Sequence, residues 1–228
     1  MIQGQLRNIK TCLDYELTSP ICEGNPDKTV YLNHIDNSNM EYFTTIKGSN
    51  TLVLPFILFY YLHEKFHVVL GENTLMQLYR EFLTDALLAE CNRSVSFNLE
   101  TVNDTSTVGV YLLNVNIIHN NTQSGIQETG TFFIIPIDQG VIDFQHTRHR
   151  VLASSSNLKI AVSLKKDGQI LWEKDYAACE SLKGKPLGDN FLLACEACVN
   201  NMTECLSFAT KQIVTEISRD LSLILSAQ

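Results

Sequence analysis

No stretch of this chain is apolar over the ~18–20 residues that a membrane-spanning helix needs; the longest apolar run, Leu52–Leu62, is about half that length. An N-terminal export signal is missing too, because Met1–Lys10 is polar and has no apolar h-region. The expectation is therefore either a cytoplasmic protein or one whose signal precedes Met1. Positive charge is scarce: 17 Lys and Arg stand against 25 Asp and Glu, for a formal net charge of -8 and a pI near 5.2. Such a chain offers no basic stripe and argues against nucleic acid as a partner. The strings G-x-x-x-x-G-K-[ST], G-x-G-x-x-G and G-x-S-x-G do not occur, which removes the common nucleotide-binding and serine-hydrolase signatures. Internal repeats and low-complexity tracts are absent as well.

What is present is an ordinary globular composition, 45% apolar and 18% charged over 228 residues, enough to build a sizeable core. Residues 1–28 carry Asn25-Pro26 and little periodicity, and read as a loosely structured lead-in to a single domain over 29–228. Seven cysteines is an odd number, so at least one is free or paired between chains. Cys12 and Cys22 could close a short loop in an oxidising compartment.

The clearest local signal is in the last third. Asn157–Leu164 alternates, Lys165-Lys166-Asp167-Gly168 turns, and Gln169–Ala177 runs back, the pattern of a tight hairpin. Beyond the loop Ser181–Gly188, Asp189 is placed to cap a helix from about Asn190 to Leu225. Cys195, Cys198, Met202, Cys205, Ala209, Ile213, Ile217, Leu221 and Ile224 recur on it at steps of three or four, an apolar stripe that packs inward. Thr74-Leu75-Met76-Gln77 reads as a capping box with Thr74 as cap. It precedes a second amphipathic helix whose buried face is Leu75, Tyr79, Phe82, Leu83, Ala86 and Leu87, with Asn92 as its stop.

Strands are expected at Thr29–Ile35, around Tyr42–Ile46, at Val95–Leu99 and at Val108–His119. Gly48-Ser49-Asn50 is read as a break, Asn120–Gly125 as a turn, and Gly130–Phe144 as one extended segment in which Pro136 marks an edge or bulge. Thr51–Leu70 fits either a strand or a buried helix. The fold class that follows is α+β: an antiparallel sheet covered by two amphipathic helices, the longer one C-terminal. Phe132–Ile137 (F-F-I-I-P-I) lacks clean alternation and is either buried on both faces, the reading adopted, on which Phe132→Asp would unfold the chain, or an exposed patch, on which that variant would stay folded and point to a partner site.

One string resembles a catalytic motif. His63-Glu64-Lys65-Phe66-His67 is an H-E-x-x-H, which on a helix would put His63 and His67 on one zinc ion with Glu64 activating its water. Glu81 or Glu90 would be the third ligand of such a metallopeptidase. On a strand the two histidines would be about 13 Å apart at ~3.3 Å per residue, too far for one ion. The aromatic and β-branched surroundings favour the strand, and a coincidental pattern is the reading adopted; no cofactor is expected. Cys195, Cys198 and Cys205 span about 15 Å along a helix, too much for a single tetrahedral site, and read as core residues rather than a redox or metal set. His146-Thr147-Arg148-His149-Arg150 is a small basic cluster that reads as a solvated loop, with an anion-binding site as the alternative. Trp172 reads as a sheet-face aromatic. The N-x-S/T sites at Asn92, Asn103, Asn120 and Asn201 are taken as incidental.

Three phrases carry a likeness to a known group: V-Y-L-N-H-I from Val30, L-Y-R-E-F-L-T-D-A-L-L-A-E from Leu78, and S-L-K-K-D-G-Q-I-L-W-E-K-D-Y from Ser163. In these and in its element order, over most of residues 29–225, the chain resembles small envelope lipoproteins of Gram-negative bacteria. That group takes in YajG-like proteins and auxiliary lipoproteins of envelope transport. The resemblance implies a periplasmic or outer-membrane protein, tethered by a lipidated cysteine that would precede Met1. It would work without catalysis by binding an envelope protein or lipid. Cys12 and Cys22 sit in polar surroundings and neither suits the lipidated position. An intracellular binding module with reduced cysteines is the remaining alternative.

Overall fold

In the computed structural model the strands are β1 (Thr29–Leu32), β2 (Thr45–Phe56), β3 (Phe59–Val69), β4 (Asn98–Thr101), β5 (Tyr111–Ile137), β6 (Gly140–Val151), β7 (Ser154–Lys166), β8 (Gln169–Leu182) and β9 (Pro186–Gly188). Among the described residues two α-helices accompany them, α1 (Tyr79–Cys91) and α2 (Phe191–Ser226). The structure describes residues 8–18, 28–56, 59–93, 96–102, 110–137 and 140–227, with side chains outside 50–60 and 132–145.

All nine strands join one sheet. The sheet is mixed rather than antiparallel throughout: β1 pairs in parallel with β4 (Val30 opposite Leu99) and with β5 (Tyr31 opposite Leu112), while the other ladders are antiparallel. Parallel pairing joins segments far apart in sequence through long connections, so no turn signal announces it.

The spine is β5, which is 27 residues long. Its first part pairs with β7, from Tyr111 opposite Lys166 to Gln123 opposite Ser155. Its second part lies between β3 and β6, with Ile126 opposite both Phe66 and Val151. The expected turn at Asn120–Gly125 therefore does not form. Two of the polar side chains there pair across the sheet instead: Thr122 Oγ1 lies 2.9 Å from Ser156 Oγ, and Ser154 Oγ donates to Ser124 Oγ at 2.7 Å. Gly48-Ser49-Asn50 likewise continues as strand, with Gly48 opposite Phe66. Gly130–Phe144 is two strands, β5 folding back on β6 with Pro136 opposite Val141.

The β7–β8 hairpin is as expected. Asp167 and Gly168 take φ of 50° and 79°, the primed turn whose twist matches the flanking strands. Asn190, not Asp189, caps α2: its Oδ1 accepts from Leu193 N at 3.2 Å. The stripe from Cys195 through Met202, Ala209, Ile213 and Ile217 to Leu221 is buried against the sheet, and each fully buried large aliphatic side chain there contributes about 1.5–3 kcal/mol. α1 buries Tyr79, Phe82, Leu83, Ala86 and Leu87, and Tyr79 Oη reaches Thr210 Oγ1 on α2 at 2.9 Å. The capping box is not used. Thr74 belongs to a 3-10 turn and donates to Gly71 O at 2.7 Å; Gln77 reaches forward to Asp85 at 2.7 Å. Leu78 stands at the N-cap without a side-chain bond.

Residues 8–18 form an irregular strap held on the helices. Thr11 bridges to Leu75, Asp14 N donates to Ser207 Oγ at 3.1 Å, and Tyr15 Oη and Thr18 N donate to Glu90 Oε2 at 3.0 and 3.1 Å. Cys12 is free and exposed; Cys22 lies outside the described residues.

Candidate functional site

The H-E-x-x-H string lies on β3 in extended form. His63 stands opposite Thr51 and Thr129, and His67 opposite Lys47 and Gly125. At ~3.3 Å per residue the histidines are about 13 Å apart, whereas zinc binds each imidazole at about 2.0–2.1 Å. Glu64 takes the opposite face. Glu81 is exposed on α1, and Glu90 is buried with its carboxylate engaged by Tyr15 and Thr18. The strand thus keeps His63, Glu64 and His67 from meeting at one centre.

The cysteine constellation is part of the core. Burial pushes the thiol of Cys195 up to about 12 and those of Cys198 and Cys205 up to about 11, far from the thiolate that nucleophilic or metal chemistry requires. Cys205 Sγ donates to Ser154 O at 3.6 Å, closing the polar seam in β5 and β7 from above.

Beyond the body, β2, β3, the second part of β5 and β6 make a four-stranded antiparallel arm. Phe191, the first residue of α2, packs on Phe66 (ring centroids 6.1 Å apart) and on His149 (5.1 Å). From there the helix runs back along the body, towards Asp220 beside Tyr176. The arm continues the other way, about 36 Å from Ile126 to Ile137 at ~3.3 Å per residue.

Strand periodicity and register sort the arm residues onto two faces. The face turned from α2 carries Lys47 opposite His67; Lys65 and Arg150 flanking Gln127; His63 and Arg148 flanking Thr129; and His146 opposite Thr131. Lys47, Lys65, His67, His146, Arg148 and Arg150 are exposed, so the expected solvated loop at 146–150 is an alternating strand with three of its basic residues on this face. The carboxylate positions of these four strands, Glu64, Glu128 and Asp143, all fall on the other face. Among the described residues, none of the four Lys and Arg side chains pairs with a carboxylate. A cleft of about 310 Å³ at the foot of this face is lined by Lys47, Ser49, Lys65, His67, Gln123 and Ser155.

Past the cations the register changes character. Phe56 stands opposite Phe59, Phe59 opposite Phe133, and Phe133 opposite Phe144, a phenylalanine from each strand in one row. Ile135 opposite Ile142 follows, and the alternate positions at this end include Tyr60, Phe132, Ile134, Pro136 and Val141. The end of the arm is thus mainly apolar at both parities.

On the α2 side, Glu64, Glu128 and His149 form a single cross-strand row. Burial, then the charge of Glu128, raises the pKa of Glu64.

Treating H-E-x-x-H and H-T-R-H-R as separate strings hides the cationic face. The signal that finds it is period two: His63, Lys65 and His67 on one strand, and His146, Arg148 and Arg150 on another, are each basic at every second residue.

No protein-family model matches the sequence, and no curated protein does. Among solved structures the chain is similar to the crystal structure of protein XCC0632 from Xanthomonas campestris, of family DUF330. The TM-score is 0.48 and the identity 9%, over 93% of this chain and 94% of that one. No helix among the described residues is long and apolar enough to cross a membrane.

Proposed function

We propose that this chain is a non-enzymatic module of a bacterial cell envelope that engages lipid through its β-arm. The observation that carries the reading is the row Phe56–Phe59–Phe133–Phe144, set beyond the end of the covering helix on a face whose nearer rows are cationic. An arm end whose register positions are apolar at both parities suits contact with lipid or another apolar partner. The envelope setting is supported by the likeness of the three sequence phrases to small Gram-negative envelope lipoproteins. The extended form of the H-E-x-x-H string, which holds His63 and His67 apart, weighs against the metallopeptidase reading.

Co-sedimentation with vesicles that mix zwitterionic and anionic lipids tests the reading. The native chain is expected to pellet with the vesicles. A Phe133→Asp/Phe144→Asp variant is expected to stay in the supernatant with an unchanged far-ultraviolet circular dichroism spectrum. A native chain that stays in the supernatant overturns the proposal.

A further inference from the structure

We infer that the cationic face of the arm is a docking surface for an anionic bilayer, and that the arm lies along the membrane with this face down instead of entering end-on. The inference rests on the lipid-engaging role proposed above and adds which lipid is selected and in what orientation.

Charge complementarity comes first. A chain of net charge -8 is as a whole repelled by an anionic surface, yet four Lys and Arg and three His share one arm face from which the carboxylates of all four strands are excluded. The acidic body does not cancel that face. At physiological ionic strength the Debye length is about 8 Å, short against an arm about 36 Å long, so a membrane under the arm senses chiefly the local charges. Basic residues at an anionic leaflet are each attractive, and several in one patch are enough to select the lipid.

Length decides the orientation. From the Tyr61–Thr131–His146 row to the Lys47–His67 row is six residues, about 20 Å. The polar layer on each side of a bilayer is only about 5–8 Å deep. An arm standing on its tip would bring His146 and its nearest neighbours to the phosphates and leave Lys47 and Lys65 beyond their reach. Laid face down, it puts every cationic row on the headgroups at once, with the Phe56–Phe59–Phe133–Phe144 row at the acyl boundary. The cleft bounded by Lys47, Lys65 and His67 then opens onto the headgroup layer and offers two ammonium groups to a lipid phosphate.

This orientation also solves the edge problem. Among the described residues no strand pairs with the outer edges of β2 and β6 along most of the arm, and unpaired backbone groups are excluded from the hydrocarbon core. At the interface those edges stay hydrated.

The test measures binding of the native chain to phosphatidylcholine vesicles and to phosphatidylcholine–phosphatidylglycerol vesicles, each at low and high sodium chloride. A Lys65→Glu/Arg150→Glu variant and the charge-preserving Lys65→Arg/Arg150→Lys variant are measured beside it. Expected is an anionic preference of about tenfold or more, falling as salt rises, lost in the glutamate variant and kept in the conservative one. Equal, salt-insensitive binding to both vesicle types overturns this inference and leaves lipid engagement through the apolar tip standing. Absence of binding to either overturns both. If the glutamate variant does not fold, the lipid and salt dependence of the native chain decides the matter alone.

Discussion

His149 Nε2 lies 3.5 Å from Glu128 Oε2, with the imidazole buried under the ring of Phe191 at the first turn of α2. Its Nδ1 has no hydrogen-bond partner among the described residues, and Glu64 stands on the far side of Glu128 in the same row. This row joins arm to helix, and it places two carboxylates directly opposite one another.

Burial of Glu64, and then its carboxylate neighbour Glu128, is expected to make stability depend on pH. The folded-state pKa of Glu64 is raised, first by burial and then by Glu128, so the folded chain holds this proton more tightly than the unfolded chain. Stability contributed by the protonated group is gained as pH falls towards the ordinary glutamate range and lost as pH rises through the raised value. Glu128 and His149 are the titratable neighbours in the row. Glu64→Gln is expected to stabilise the chain at neutral pH by about 0.5 kcal/mol, since like charges opposite each other in a sheet repel weakly when partly solvated. Thermal melts across pH check this; a variant less stable than the native chain at neutral pH would contradict it.

Asp220 behaves in the opposite sense. Burial works against its charge, but Lys174 Nζ at 2.6 Å and Tyr176 Oη at 2.8 Å donate to Oδ2 and hold the carboxyl below its ordinary pKa. The stabilisation is present above the unfolded value and lost as pH falls through the folded one. Asp220→Asn is expected to cost about 1–2 kcal/mol at neutral pH and to flatten the acid limb of the stability profile. Denaturant titrations at neutral and acidic pH measure both effects.

Thiol labelling separates surface from core. Cys12 and Cys179 are exposed, whereas Cys91, Cys195, Cys198 and Cys205 are buried, with burial pushing Cys91, like Cys195, up to about 12. A disulfide-exchange reagent at mildly alkaline pH is expected to modify Cys12 and Cys179 in the native protein and the four buried cysteines only on unfolding. Peptide mapping distinguishes these from Cys22. Rapid native labelling of Cys195 or Cys198 would place them outside the core.

Much of the body was legible in the sequence because its signals are local. The α2 stripe, the α1 face from Tyr79 to Leu87 and the Asp167-Gly168 hairpin each follow from periodicity or turn chemistry within a few residues. What escaped was non-local. The serines and threonines of 122–124 read as a turn because their partners, Ser154 and Ser156, lie about thirty residues on. Thr74 read as a cap because its hydroxyl partner Thr44, thirty residues back, was invisible. The parallel register of β1 has no sequence signature. The cationic face was legible only in part, since each basic string shows its alternation but only the β3–β5–β6 register brings Lys65 and Arg150 to one row.

Position relative to α2 changes what the F-F-I-I-P-I segment is expected to tolerate. The side chains of Phe132–Ile137 lie outside those described; a core strand there predicts that Phe132→Asp unfolds the chain, whereas face-down docking, with Phe132 alternating with Phe133 by register, predicts a folded variant that still binds vesicles. Calorimetry beside co-sedimentation separates the two outcomes.

The most direct measurement replaces Phe133 with tryptophan in a Trp172→Phe background, giving the chain one indole, in the phenylalanine row of the arm. Immersion of that row predicts a blue-shifted emission when phosphatidylcholine–phosphatidylglycerol vesicles are added, quenched by lipids brominated near the headgroup end of their chains. Emission that stays unshifted and unquenched in the presence of vesicles would contradict lipid engagement by the arm.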